Sequence, residues 1–328
     1  MMEEKRTLGE FLADPRISRI APDAIRNMDL AKNGMAGKTM DRLRRENTNA
    51  DVQKGLERLY AAADTGEWFY PVYQEEDCAA DETRRDVNLV FLPSRDEKAS
   101  DRPYILVVPG GGFVNVWNLT EGWPVAAQFN ELGYHVFVLT YRVGEGECIL
   151  DREMEDFAAA LRFIRANEKK FGVRGDRYIT CGFSAGGYLV CLWNVKEKGY
   201  AAFGLPKPEA VFPVYAVTSW KLCFRDGHYS PESSQRLYGC DIETAGNSPF
   251  EIPEHAEGFP PCALFLAAGD ELVNPEHSRI LAGALEKLDI PCRLEIGPTG
   301  GHGFADGTGM CMEGWTERAV RWVEDLKK

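Results

Sequence analysis

Ser184 stands in Gly182-Phe183-Ser184-Ala185-Gly186, between the apolar run Tyr178-Ile179-Thr180-Cys181 and the apolar residues Tyr188, Leu189, Cys191 and Leu192. A serine flanked by glycines, with a buried strand ahead and a packed helix behind, suits a sharp turn that lifts its hydroxyl above a sheet. Serine is a weak nucleophile at neutral pH. It needs a base to take its proton, a third group to orient that base, and backbone donors aimed at a developing oxyanion. The residues downstream of Ser184 offer both partners. Asp270 closes the strand-like run Ala263 to Ala268 through Gly269, with Glu271 second in line and Asp306 third. His302 lies in Gly300-Gly301-His302-Gly303-Phe304, where glycines on both sides let a loop carry the imidazole over a serine. The oxyanion donors are expected in Pro109-Gly110-Gly111-Gly112-Phe113, chiefly Gly111 and Gly112, with the Ala185 N–H as the second arm.

The other four histidines compete poorly for the role of base. His135 opens an apolar strand and reads as core; His277 falls on a helix after Pro275. His228 and His255 fall in an irregular stretch where they would at most touch a substrate. Together the five form no H-x-x-x-H pair and no Cys/His cluster, so no metal is expected. Gly37-Lys38-Thr39 mimics the end of a phosphate-binding loop, but position 32, where its first glycine belongs, is Lys32.

Loops at the carboxyl ends of parallel strands are where such groups converge, and from about Asp86 onward strand and helix patterns alternate. Strands are expected at Val87 to Leu92, Tyr104 to Val108, Val136 to Tyr141, the run before Ser184, Ala210 to Tyr215, Cys262 to Ala268 and Arg293 to Ile296. Helices are expected through Met154, Phe157, Leu161 and Ile164, over Glu276 to Leu288, and through Trp315, Ala319, Trp322, Val323 and Leu326. The alternation predicts an α/β fold, a mostly parallel central sheet with helices on both faces. Residues 76–328 would form this domain, with an irregular insertion at about 218–261. Residues 1–75 are charged and show no convincing strand. They carry a helical stripe at Val52, Leu56, Leu59, Tyr60 and Ala63, and read as a helical extension that serves as lid, dimer arm or core cover.

The chain has 328 residues, 44% of them hydrophobic, enough for one large core. Its net charge of −13 argues against a nucleic-acid partner and against anionic membrane surfaces. No apolar h-region follows the first charges, and no run reaches the length of a membrane span. Nine cysteines without a C-x-x-C pair suggest a reduced, cytoplasmic protein, in which the sequon Asn118-Leu119-Thr120 would stay idle.

From Asp86 to its end the chain resembles the α/β-hydrolase superfamily. Within it, the chain resembles the acetylesterase and acetyl-xylan-esterase-like branch near the hormone-sensitive-lipase relatives. The resemblance rests on Pro109-Gly110-Gly111-Gly112-Phe113, Leu139-Thr140-Tyr141-Arg142-Val143, Gly182-Phe183-Ser184-Ala185-Gly186-Gly187, Gly269-Asp270-Glu271-Leu272-Val273 and Gly301-His302-Gly303-Phe304. It maps the family's nucleophile onto Ser184, its acid onto Asp270 and its base onto His302, in the family's chain order. Pro109 departs from the histidine that many lipase-like relatives carry before the glycines, and Phe113 stands where the carbohydrate-deacetylating branch often has tyrosine. The resemblance implies a serine esterase that hydrolyses short-chain esters, acetyl foremost, of carbohydrates, without a cofactor. Its partner would be a small ester such as an acetylated oligosaccharide, and association into a homo-oligomer is left open. Two alternatives stand beside it: a peptidase of the prolyl-oligopeptidase type, and a binding protein that kept the fold and lost catalysis. Trp117, Trp220 and Tyr238 are aromatics that would either stack on sugar rings or pack in the core.

Overall fold

Runs of five or six apolar residues with no alternation are the mark of strands buried on both faces, and the computed structural model builds them into one sheet. It describes residues 5–20, 22, 34–46, 51–144, 148–227 and 230–328. Among these, eight strands run in the order β1-β2-β4-β3-β5-β6-β7-β8. They are β1 Phe69–Pro71, β2 Asn88–Leu92, β3 Tyr104–Val108, β4 Val136–Thr140, β5 Tyr178–Phe183, β6 Ala210–Val214, β7 Cys262–Ala267 and β8 Cys292–Gly297. β2 pairs antiparallel with β1 and β4, and every other pairing is parallel. This is the mostly parallel sheet expected from the alternating pattern.

Six longer helices cover the two faces: α1 Val52–Thr65, α2 Trp123–Glu131, α3 Ile149–Ala166, α4 Ser184–Leu192, α5 Glu276–Lys287 and α6 Trp315–Asp325. Successive strand side chains point to opposite faces. Leu106 and Val108 join the core under α3, α4 and α5, while Ile105 and Val107 join the core under α1, α2 and α6. Arg142 sits just past β4 and is buried against Asp156 of α3, and Tyr73 also donates to that carboxylate. Burial pushes the Asp156 carboxyl up, and the adjacent guanidinium works against that shift.

Two features were not visible in the sequence. β1 lies in the segment expected to lack a strand. It has three residues, ends in proline, and pairs only along the sheet edge with β2, so it is too short to show a period. The stretch 218–261 contains three short helices, Trp220–Arg225, Pro231–Tyr238 and Ile242–Gly246. Each is capped by a side chain ahead of it, Ser219, Ser230 and Asp241 respectively. At five to eight residues they are too brief for an amphipathic stripe to stand out.

Residues ahead of β1 pack onto the second face. Thr7 caps the helix Leu8–Leu12 in a reciprocal box with Glu10, and Asp51 caps α1. Leu8, Phe11, Met40, Leu56 and Leu59 enter the same core as α2 and α6. Where α1 crosses the start of α2, Gly55 faces the backbone of Trp123 and Pro124 so closely that a side-chain carbon there would crowd it.

Candidate active site

Strand register brings the chemical groups to one rim. Val108 at the end of β3 pairs with Gly182 of β5, Phe183 pairs with Val214 of β6, and Val214 pairs with Phe265 of β7. The loops after β3, β5, β7 and β8 therefore emerge side by side. Ser184 follows β5 directly and opens α4 with φ +51°, a left-handed conformation that a non-glycine residue adopts only when its surroundings enforce it. Gly186 is required by close approach: a Cβ there would collide with the carbonyl oxygens of Val108 and Pro109.

His302 Nε2 lies 3.0 Å from Ser184 Oγ, and His302 Nδ1 lies 2.8 Å from Asp270 Oδ2. The Asp270 side chain is almost fully buried, and its other oxygen accepts from the Leu272 and Val273 N–H groups at 3.0 and 2.9 Å. One carboxylate thus acts as a turn cap and as the imidazole's partner. With a carboxylate on Nδ1, the neutral ring carries its proton there and leaves Nε2 free to accept from the hydroxyl. Glu271 is exposed. Asp306 is buried elsewhere and accepts from the Asp51 N–H at 3.2 Å and from Thr308. Neither meets His302.

The glycine loop after β3 borders the same cavity of about 280 Å³, whose wall includes Gly111, Gly112, Ser184, Ala185 and His302. Gly111 has φ +140°, and its carbonyl accepts from Val114 and Asn115 in a tight turn. The Gly110 N–H is already bonded to Glu121, which leaves the N–H groups of Gly111 and Gly112 as the loop's candidates for an oxyanion. Ala185 N–H belongs to the first turn of α4, where amides have no intrahelical acceptor and the helix favours negative charge. All the residues expected at the site thus border one cavity or bond to a residue that does.

Of the remaining histidines, His135 is buried and accepts from the Ser94 N–H, as a core residue would. His255 closes a short helical turn at Ile252–His255, and His228 lies outside the described residues. His277 is different from expectation: it lies on α5 as expected, yet also borders the cavity. Its Nδ1 accepts from the Thr218 and Ser219 N–H groups at 3.2 Å each, which places the proton of the neutral ring on Nε2, 3.6 Å from Cys223 Sγ. Trp117, Val217, Leu272 and Val273 complete much of the wall. Trp220 and Tyr238 are core residues.

Sequence reasoning missed Glu121 and Tyr215. Glu121 closes part of the cavity and is buried. Its Oε2 accepts from the Gly110 N–H at 2.6 Å and its Oε1 from the Tyr215 hydroxyl at 2.9 Å. Burial pushes its carboxyl up, opposed by the nearby His302 and by these two donors. Tyr215, at the end of β6 with φ +37°, lays its ring 4.7 Å from the His302 ring, and its hydroxyl accepts from the Ala305 N–H at 3.2 Å. The sequence did hold a signal: Glu121 is the one charged residue between Val114 and Phe129.

A protein-family model described as BD-FAE matches residues 90–218. Endo-1,4-beta-xylanase B of Butyrivibrio fibrisolvens is 29% identical over 237 residues, covering 69% of this chain and 36% of that protein. Acetylxylan esterase of Xylanibacter ruminicola is 26% identical over 248 residues, covering 72% of this chain and 46% of that one. The chain therefore spans less than half the length of either. An acetyl ester-xyloside bifunctional hydrolase from Caldicellulosiruptor lactoaceticus superposes with a TM-score of 0.64 at 25% identity, over 79% of this chain and 96% of that one.

Proposed function

The chain has the α/β-hydrolase fold, and from that premise we propose that it is a serine esterase removing short acyl groups, acetyl above all, from carbohydrate alcohols. The observation that carries this reading is the continuous line from Ser184 Oγ through both nitrogens of His302 to Asp270, with contacts of 3.0 and 2.8 Å. Ser184 attacks the ester carbonyl while His302 Nε2 takes the hydroxyl proton. Asp270 holds the ring tautomer and stabilises the imidazolium. The carbonyl oxygen, now negative, is met by N–H groups of Gly111 or Gly112 and of Ala185. The tetrahedral intermediate collapses to acyl-Ser184, and the imidazolium returns its proton to the leaving alcohol. Water, deprotonated by His302, then releases the acid and restores the serine.

A cavity of about 280 Å³ walled by Val217, Cys223, Val273 and His277 favours a small acyl group. Trp117 at its border and the exposed Leu272 offer apolar surface to an alcohol such as a sugar ring. Relatives described as acetylxylan esterase and as acetyl ester-xyloside hydrolase point to acetylated xylo-oligosaccharides as the first substrates to try. The glycine run supports a position near the hormone-sensitive-lipase relatives, with Pro109 marking the departure. Nine free cysteines favour a reducing, cytoplasmic setting. No described helix is long and apolar enough to cross a membrane. The residues ahead of β1 as a helical cover on a catalytic unit that takes in β1, and self-association of the whole, belong to the same reading.

Hydrolysis of p-nitrophenyl acetate by the wild type and by Ser184→Ala tests it. The variant should lose on the order of 10³-fold or more in kcat, since members of such a triad act as a unit; undiminished turnover would remove Ser184 from the mechanism. Esters of increasing chain length and acetylated xylo-oligosaccharides then rank the acyl and alcohol preferences. Faster cleavage of aminoacyl amides than of acetyl esters would turn the assignment toward a peptidase.

A further inference from the structure

We propose that Glu121 is a positioning residue that locks the oxyanion loop to the platform beneath His302, so that the two halves of the site keep one geometry. The inference rests on the esterase reading given above and assigns a role to a residue that takes no part in the bond changes.

Glu121 lies in a five-residue π-helical turn, Asn118–Gly122, between the glycine loop and α2. Such turns inside or beside helices are uncommon and concentrate at functional sites. The turn is itself anchored, because Asn118 Nδ2 donates to Thr140 Oγ1 at 2.9 Å. From it the carboxylate reaches two loops that are distant in sequence. One oxygen holds Gly110, the residue directly before the proposed oxyanion donors. The other holds the Tyr215 hydroxyl. Tyr215 carries the effect onward in two ways: its ring packs against the imidazole of His302, and its oxygen takes the Ala305 N–H three residues beyond that histidine. The chain from Gly110 through Glu121 and Tyr215 to Ala305 is continuous, and each link is 3.2 Å or shorter.

The cost of keeping this group identifies its purpose. A buried carboxyl is expensive, and a hydrophobic residue of similar size would fill the same space more cheaply. A negative charge beside an oxyanion hole would also oppose the charge that develops there. Glu121 offsets both penalties by accepting from two donors at once, and those donors belong to the two loops whose spacing the reaction depends on. Tyr215 pays a similar penalty, holding φ +37° without being glycine. Strain and burial at adjacent residues on one hydrogen-bonded chain mark a site preorganised before substrate arrives.

The test compares the full-length wild type with Glu121→Leu, Glu121→Gln, Tyr215→Phe and the Glu121→Leu/Tyr215→Phe double variant. The readouts are kcat and KM on p-nitrophenyl acetate, affinity for an aliphatic boronic acid that mimics the tetrahedral state, and thermal midpoint. Glu121→Leu should lower kcat by ~10²-fold, the order expected for ångström-scale misplacement of catalytic groups, with KM changing by less than about threefold. Boronate affinity should fall with kcat. Glu121→Gln keeps an acceptor for Gly110 and should restore about tenfold of the loss. Tyr215→Phe, which retains the ring and loses only the hydroxyl, should lower kcat by ~10-fold, and the double variant should fall short of the product of the two single effects. Variants within twofold of wild type in kcat, or losses that multiply fully in the double variant, would overturn the lock. A general loss of folding would lower the fraction of active sites titrated by a fluorophosphonate and leave kcat per titrated site unchanged, and that outcome also counts against it. Full activity of Ser184→Ala would instead remove the esterase reading itself, so the two failures are distinguishable.

Discussion

At the residue scale, Ser184 shows how reactivity and stability oppose each other at one position. Its left-handed backbone angle aims the hydroxyl at His302, and such a conformation costs a non-glycine residue of order 1–3 kcal/mol. Ser184→Gly relieves that strain, whereas Ser184→Ala removes the hydroxyl and keeps the strain. Both should be inactive, and urea denaturation should find the glycine variant more stable than the alanine variant by about 1 kcal/mol. Equal midpoints would mean that the turn is held without measurable strain. Ser184, Asp270, His302 and the glycine loop were legible because each sits at a strand end and carries its own turn chemistry. His277 was not: on a helix its position in sequence says nothing of the cavity, which becomes visible only when Thr218 and Ser219 from another loop bond to its ring.

At the scale of elements, seven of the eight described strands were legible nearly to the residue, since an unbroken apolar run bounded by turn residues suits a strand buried on both faces, whereas the three-residue β1 was not. Val136 to Tyr141 was expected and Val136–Thr140 formed; Tyr104–Val108 was read without error. What the sequence could not convey is how the elements ahead of β1 meet the site. The Asp51 N–H, at the start of α1, donates to Asp306 in the loop that follows His302. Gln128 of α2 donates to the carbonyl of Asp306, and Thr316 of α6 donates in turn to Gln128. Three helices thus grip the loop that carries the imidazole. Asp306→Ala leaves two backbone N–H groups and a threonine hydroxyl without this acceptor, and should cost about 1–3 kcal/mol. Hydrogen exchange should rise in residues 301–309 before it rises in the sheet, and kcat should fall more than stability alone accounts for. Exchange that increases uniformly across the molecule would argue against a local grip.

Across the whole molecule, one buried carboxyl among the described residues stands without a hydrogen-bond partner. Glu153 of α3 is fully buried, and among the described residues neither of its oxygens has a hydrogen-bond partner. Burial, then the nearby Asp156, push its carboxyl well above the ordinary value of 4.5. The folded chain therefore holds a proton that the unfolded chain gives up once pH exceeds that ordinary value. Stability from this group is fully present in acid and declines as pH rises from there through the raised folded value. Glu153→Met, similar in shape and uncharged, should flatten that decline and add on the order of 1–3 kcal/mol at pH 8, read as the difference in urea midpoints between pH 5 and pH 8 for both proteins. A variant less stable than wild type at pH 8 would show that the carboxyl has a use in the fold.

The buried Asn118 has a practical consequence for how the protein is made. Its side chain is 1% exposed and fastened to Thr140, yet it begins an Asn-Leu-Thr tripeptide. A yeast or animal secretion host glycosylates such tripeptides on the emerging polypeptide, before folding hides them. A sugar tree fixed there has no room between β4 and the turn that holds Glu121, so expression through that route should yield misassembled product. Bacterial cytosol, or a Thr120→Val version in a secreting host that removes the tripeptide and keeps Asn118, avoids the trap.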